Sequence, residues 1–151
     1  MVDRRLWMMG VGCVLALLTP VGVVAQGDQL LATVDKPVVV TVTPPPVTER
    51  VDQPARVVII VTGFQPPRGG TVEAVVKVQR EGTETEQEIG RFGIFPNAQF
   101  KVADPAKGQR FGFSLPKELA GGRPVKLKVE LVPSRGEGKG ASLELGGAEI
   151  R

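Results

Sequence analysis

Glu84, Glu86 and Glu88 alternate along one short stretch, and carboxylates are the groups through which this chain could perform acid–base chemistry. Alternate residues of an extended segment stand roughly 6.5–7 Å apart. That overlaps the separation of about 6.5–9.5 Å between the two carboxyls of an inverting glycosidase. Such a pair works only where an apolar setting raises the pKa of one member. Residues 81–88 are polar throughout, and there is no Tyr in the chain and no Trp outside the N-terminal segment to stack a sugar. The stretch therefore reads as a solvated face, with loose calcium binding as the remaining option. Serine chemistry lacks its usual imidazole: the chain has no His, and Ser114, Ser134 and Ser142 lie in no nucleophile-elbow context. The single Cys, Cys13, lies in the N-terminal segment, so the rest of the chain offers no disulfide and no soft or imidazole ligand for an ordinary zinc or copper site. The glycine-rich residues 134–140 lack the closing Gly-Lys-Ser/Thr of a phosphate loop. No catalytic, cofactor-binding or metal-binding residue is assigned, no cofactor is expected, and the chain is expected not to be an enzyme.

The N-terminus has the pattern of a targeting segment. Arg4 and Arg5 precede an apolar run over residues 6–18, followed by Pro20, Gly22 and the small residue Ala25. This is expected to be a signal peptide over residues 1–25, cleaved after Ala25, with export to the periplasm, the extracellular space or the cell envelope. Two other readings stay open. Residues 6–25 are about long enough to span a bilayer uncleaved. Cys13 could carry a lipid, although Gly10 stands where a lipobox usually has Leu. Only these two routes would tie the chain to a membrane. The formal net charge of +3 comes without a basic run, so no nucleic-acid footprint is expected.

Residues 26–36 read as a mobile lead-in and residues 37–151 as one domain, large enough to bury about two-thirds of its unfolded surface. Its centre is the run Val57-Val58-Ile59-Ile60-Val61, which lies between Pro54 and the Gly63-to-Pro67 stretch. Branching at Cβ disfavours a helix and suits a pleated strand. Because all five are apolar, both faces of that strand are expected to be covered. Val38, Val40 and Val42 alternate in a first strand that Pro44, Pro45 and Pro46 end as a stiff connector. Val72, Ala74, Val76 and Val78 alternate in another, as do Val125, Leu127, Val129 and Leu131 between Lys126, Lys128 and Glu130. Four of the six Phe fall in two neighbouring strands, at Phe92 and Phe95 and at Phe111 and Phe113, which suggests the centre of the core. Residues 116–122 suit one short helical turn, and residues 134–140 a hairpin linker. The fold class that follows is all-β: an antiparallel β-sandwich of about seven to nine short strands. Deep burial is expected for Val58, Ile60, Val76, Phe92, Phe111, Phe113, Leu127, Val129 and Leu131.

The second half of the chain resembles a known family. It runs from a Gly90-Arg91-Phe92 strand ending at Pro96, through a Phe-rich strand and the turn Lys117-Glu118-Leu119, to Leu131-Val132-Pro133 and a closing Leu145-Gly146-Gly147-Ala148-Glu149-Ile150. This resembles the C-terminal domain of plant polyphenol oxidases and tyrosinase-like proteins, as does the opening Asp35-Lys36-Pro37-Val38-Val39-Val40-Thr41-Val42. The likeness covers about residues 35–150. It departs at the family's Lys-Phe-Asp-Val tetrapeptide, which would fall at Glu73-Ala74-Val75-Val76, where only the last residue agrees. The resemblance implies a β-sandwich that shields a dicopper catalytic domain whose histidines hold the metal. In this chain it implies a free-standing, non-catalytic accessory module that binds or shields a tyrosinase-like copper oxidase. The alternative is a structural or adhesive β-sandwich module that contacts another protein of the cell envelope. Phe64, Phe95 and Phe100, in or beside the loops 63–70 and 95–108, are the candidate partner contacts, with core packing the competing role for each.

Overall fold

The computed structural model describes residues 30–45 and 54–151. The expected signal segment, Cys13 and Pro46 lie outside the described residues. Within them the alternating stretches become nine strands: β1 (Leu31–Thr33), β2 (Val38–Val42), β3 (Arg56–Gln65), β4 (Thr71–Arg80), β5 (Glu86–Phe92), β6 (Phe100–Lys101), β7 (Gln109–Ser114), β8 (Val125–Arg135) and β9 (Ser142–Ile150). Single 3-10 turns cover Pro105–Lys107 and Lys117–Leu119. The lead-in thus carries a strand, because Ala32 is fully buried against β9.

Two antiparallel sheets pack face to face. The first has the order β1-β9-β3, with β7 and then β6 along the other side of β3; the second has the order β2-β8-β4-β5. Consecutive strands mostly change sheet. Among the described residues β4 and β5 are the one consecutive pair joined in a ladder. Residues 134–140 are therefore not a hairpin linker: β8 belongs to the second sheet and β9 to the first, so the segment crosses between them. Gly138 makes that crossing. It is buried at φ +68°, and a Cβ there would come within 2.9 Å of Val34 and 3.0 Å of Pro133, so a side chain is excluded by both conformation and space.

The core lies between the sheets. Val57, Ile59 and Val61 of β3 are fully buried, as are Val76 of β4, Leu127 and Val129 of β8 and Leu143 of β9. Val58 and Ile60, expected to be deep, are only half-buried. Strand geometry sends neighbours to opposite faces, and the inner face went to the odd-numbered set. The outer face of β3 is partly covered at Ile60 by the 3-10 turn at Pro105, which packs over it beside Gly108 and Gly146. The second sheet hides one outward residue more completely. Val75, paired with Arg91 on β5 and Glu130 on β8, is buried although it faces outward.

Phe92, Phe111 and Phe113 close one flank of the sandwich and do not form its centre. Phe92 of β5 stacks on Phe111 of β7 with ring centroids 4.0 Å apart and an interplanar angle of 19°, and Phe113 lies 6.0 Å from Phe92. Phe92 is buried, whereas Phe111 and Phe113 are half-buried because β7 is an edge strand in that part of its sheet. Gly90 leaves the space for this: a Cβ there would lie 2.5 Å from the ring of Phe113.

Candidate functional site

The candidate contact residues sit at one end of the sandwich, Phe95 and Phe100 on the path from β5 through β6 and Phe64 near the end of β3. Gly93 and Pro96 end the β5 ladder, the Phe95–Pro96 peptide bond is cis, and the amide of Ala98 donates to the carbonyl of Pro96 at 2.7 Å. The chain then rejoins the first sheet as β6, where Phe100 pairs with Phe64 and Lys101 with Gly63. The amide of Val102 donates to Thr62 at 2.7 Å. Asp104 next caps the 3-10 turn, its carboxylate accepting from the Ala106 amide at 2.9 Å, with Pro105 in the first turn.

These constraints separate three phenylalanines that look alike in sequence. Phe64 belongs to the core at 4% exposure, placed between Phe100 and Leu143. Phe100 is half-buried and packs against the core from the two-residue strand β6. Phe95 is 90% exposed. Phe64 and Phe100 together line a shallow depression of about 180 Å³ with Leu31, Gln65 and Ser142. At its wall Lys101 Nζ meets Glu144 Oε2 at 3.1 Å. Phe95 is not among the residues of that depression. Leu31, Ser142 and Glu144 carry no signal in the sequence that would have placed them here, because they reach this end only through the pairing of β9 with β1 and β3.

The alternating glutamates do not converge on an apolar pocket. Glu84 is exposed before β5, and Glu86 and Glu88 are exposed within it. Glu86 accepts from Lys128 Nζ at 3.1 Å, and Glu88 takes a two-point contact from Arg91 at 2.8 and 3.1 Å. The hydrogen bond from Arg91 holds the Glu88 carboxyl below its ordinary pKa and raises that of the guanidinium in turn. This is opposite to the shift a general acid needs. Lys128 also meets Glu130 at 2.8 Å, and Glu130 meets Lys77 at 2.7 Å. The acidic strand is thereby part of a ladder of alternating charges on the outer face of the second sheet. Among the described residues no three of His, Cys, Asp and Glu stand together as metal ligands.

No protein-family model matches the chain, and no curated protein matches it. Among solved structures, a latent aurone synthase (polyphenol oxidase) co-crystallized with hexatungstotellurate(VI) is similar, with 20% sequence identity and a TM-score of 0.48. The match covers 82% of this chain and 25% of that one, so this chain spans about a quarter of that protein's length.

Proposed function

We propose that the chain is an exported, non-catalytic accessory module that binds a protein partner through the end of the sandwich carrying Phe95. The observation that carries this reading is Phe95 itself, a large aromatic side chain 90% exposed on a loop. Covering such a ring removes a large apolar area from water, and aromatic anchors of this kind dominate binding energy at protein interfaces. Half-buried Phe100 and the depression beside it supply less exposed apolar surface at the same end. The partner suggested by the sequence resemblance of residues 90–96 and 131–150 is a tyrosinase-like oxidase, whose surface the module would cover. Arg91 holds the Glu88 carboxyl below its ordinary pKa, which favours binding over acid catalysis at that strand.

The test mixes the exported protein with a tyrosinase-like enzyme from the same organism. Phenol oxidation should fall as the module is added. Phe95→Ala should weaken binding about tenfold or more while leaving thermal stability unchanged, because the ring makes no core contact. Absence of both binding and inhibition at micromolar concentrations would remove the shielding reading and leave the envelope-module reading in its place.

A further inference from the structure

The opposite flank of the sandwich carries an edge of a different kind. β2 is the end strand of the second sheet, and among the described residues nothing pairs with its outer side. Its sequence, Val38-Val39-Val40-Thr41-Val42, is β-branched throughout and uncharged, and it lies between Pro37 and Pro44. Val39 is 53% exposed on the outer face, and Thr41 beside it is also exposed. An open groove of about 590 Å³ lies beside the start of this strand, lined by Leu30, Leu31, Lys36, Val38 and Val39 among others. Sheets protect an edge with charges, bulges, proline, a very short strand or a covering loop, and β2 has the short length and the flanking prolines. The far edge of the same sheet has such protection: β5 carries Glu86, Glu88 and Arg91, and its ladder with β4 is irregular between Val76 and Lys77. β2 has neither a charge nor an irregularity in its ladder with β8.

We propose that this edge pairs antiparallel with β2 of a second copy of the chain, joining the two second sheets into one continuous sheet. Charge permits a second copy at this edge and opposes one at β5. Self-pairing of β5 would bring glutamates of two copies together, whereas β2 places no like charges opposite each other. The register follows from side-chain alternation, because a one-residue slip would set inward residues against outward ones. A two-fold axis at Val40 avoids this. Val38 then faces Val42, Val39 faces Thr41, and Lys36 of each copy falls opposite Pro44. The prolines at both ends limit the ladder to these five residues. So short an interface is small compared with the ~1,200–2,000 Å² of standard complexes, and the association is weak and concentration-dependent.

The register makes the proposal testable with two double variants of the full chain, expressed in an exporting host and purified. In Val39→Glu with Thr41→Glu, introduced carboxylates of the two copies face each other, while within each copy they lie beside Lys128 and Lys126. In Val39→Glu with Thr41→Lys, opposite charges face each other across the axis. Sedimentation equilibrium from about 1 µM to about 1 mM covers the relevant affinities. The unchanged protein should pass from monomer to dimer across that range. The double-Glu variant should remain monomeric with an unaltered circular-dichroism spectrum, and the Glu/Lys variant should dimerise at least as tightly as the unchanged protein. A protein monomeric throughout, including one whose own chain covers the edge, overturns the proposal. So does a dimer that persists equally in both variants, because another surface would then hold it.

Discussion

The two open flanks of this sandwich are closed by different means. On one, β5 and β7 face each other across the gap, and Phe92, Phe111 and Phe113 fill it with stacked rings. On the other, β1 and β2 turn Ala32, Val38, Val40 and Val42 inward, with Leu30 and Val34 packed beside them. The alternation of strand residues is the same on both sides; the size of the inward side chain differs. Rings reach across the space between edge strands, and one glycine, Gly90, is needed to accommodate them. Valines reach less far, and on this flank an open groove lies beside the turn from β1 to β2. The aromatic flank leads into the loop that carries the exposed Phe95, and the aliphatic flank ends in an edge of β2 with no partner among the described residues.

The largest effect should come from the aliphatic side, where burial is complete. Leu127 of β8 pairs with Val40 and Val78 and has no exposure. Leu127→Ala removes buried methyl groups and leaves a cavity, and should cost about 2–5 kcal/mol in denaturant unfolding. A loss below half a kcal/mol would mean that the flank is loosely packed. Phe111→Ala probes the other side. The ring is larger, but it is half-buried, so a loss of about 3 kcal/mol or less is expected, under the usual cost for a fully buried Phe. If Phe111→Ala proves the costlier change, the stacked rings and not the aliphatic centre carry the stability of the domain.

Gly90→Ala sharpens the comparison with a smaller perturbation. The added methyl would meet the Phe113 ring at 2.5 Å. The ring must tilt, at a cost of about 1–3 kcal/mol for an overpacked site. Combining Gly90→Ala with Phe113→Leu should recover part of that loss, because the clash is with this ring. Equal stability of wild type and Gly90→Ala would show that the aromatic flank yields as easily as a surface.

How much of this could be read from the sequence depended on whether the two faces of a strand differ. In β8, Lys126, Lys128 and Glu130 alternate with Val125, Leu127, Val129 and Leu131, and the structure buries the apolar set. In β3 every residue from Val57 to Val61 is apolar. The run identifies a strand, but nothing in it indicates which set faces the core, and the deep positions are Val57, Ile59 and Val61, not Val58 and Ile60. Phe92 and Phe95 read as residues of one strand, Phe92 as core and Phe95 as a candidate contact. They diverge because the ladder ends at Phe92. The assignment of strands to sheets was not legible either, since a glycine-rich stretch such as residues 134–140 can turn back or cross over. The candidate site was legible only as a set of phenylalanines near strand ends. Separating Phe64 from Phe95 requires the pairing of β3 with β6 and β9.

The smallest expected effect links the two flanks across the outer face of the second sheet. The charge ladder runs from Lys77 on β4 to Glu130 and then Lys128 on β8, and from Lys128 to Glu86 on β5. Hydrogen bonds from Lys128, and then from Lys77, hold the Glu130 carboxyl below its ordinary value of 4.5, with partial burial opposing them. Lys128 is raised in return, first by Glu130 and then by Glu86. A carboxyl whose pKa is depressed in the folded state contributes stability that is fully present above the unfolded value. That stability is lost as pH falls through the folded value. The domain should therefore lose stability on acidification below about pH 4.5, by no more than about 1 kcal/mol from this group, because both partners remain partly exposed to water. Lys128→Met removes the main cause of the shift. Measured by urea unfolding from pH 6 downwards, it should lower stability slightly at pH 6 and flatten the decline below pH 4.5. The difference between the two proteins should shrink at high salt, where exposed pairs are screened. Parallel curves for wild type and Lys128→Met would mean that the ladder fixes side-chain positions without adding stability of its own.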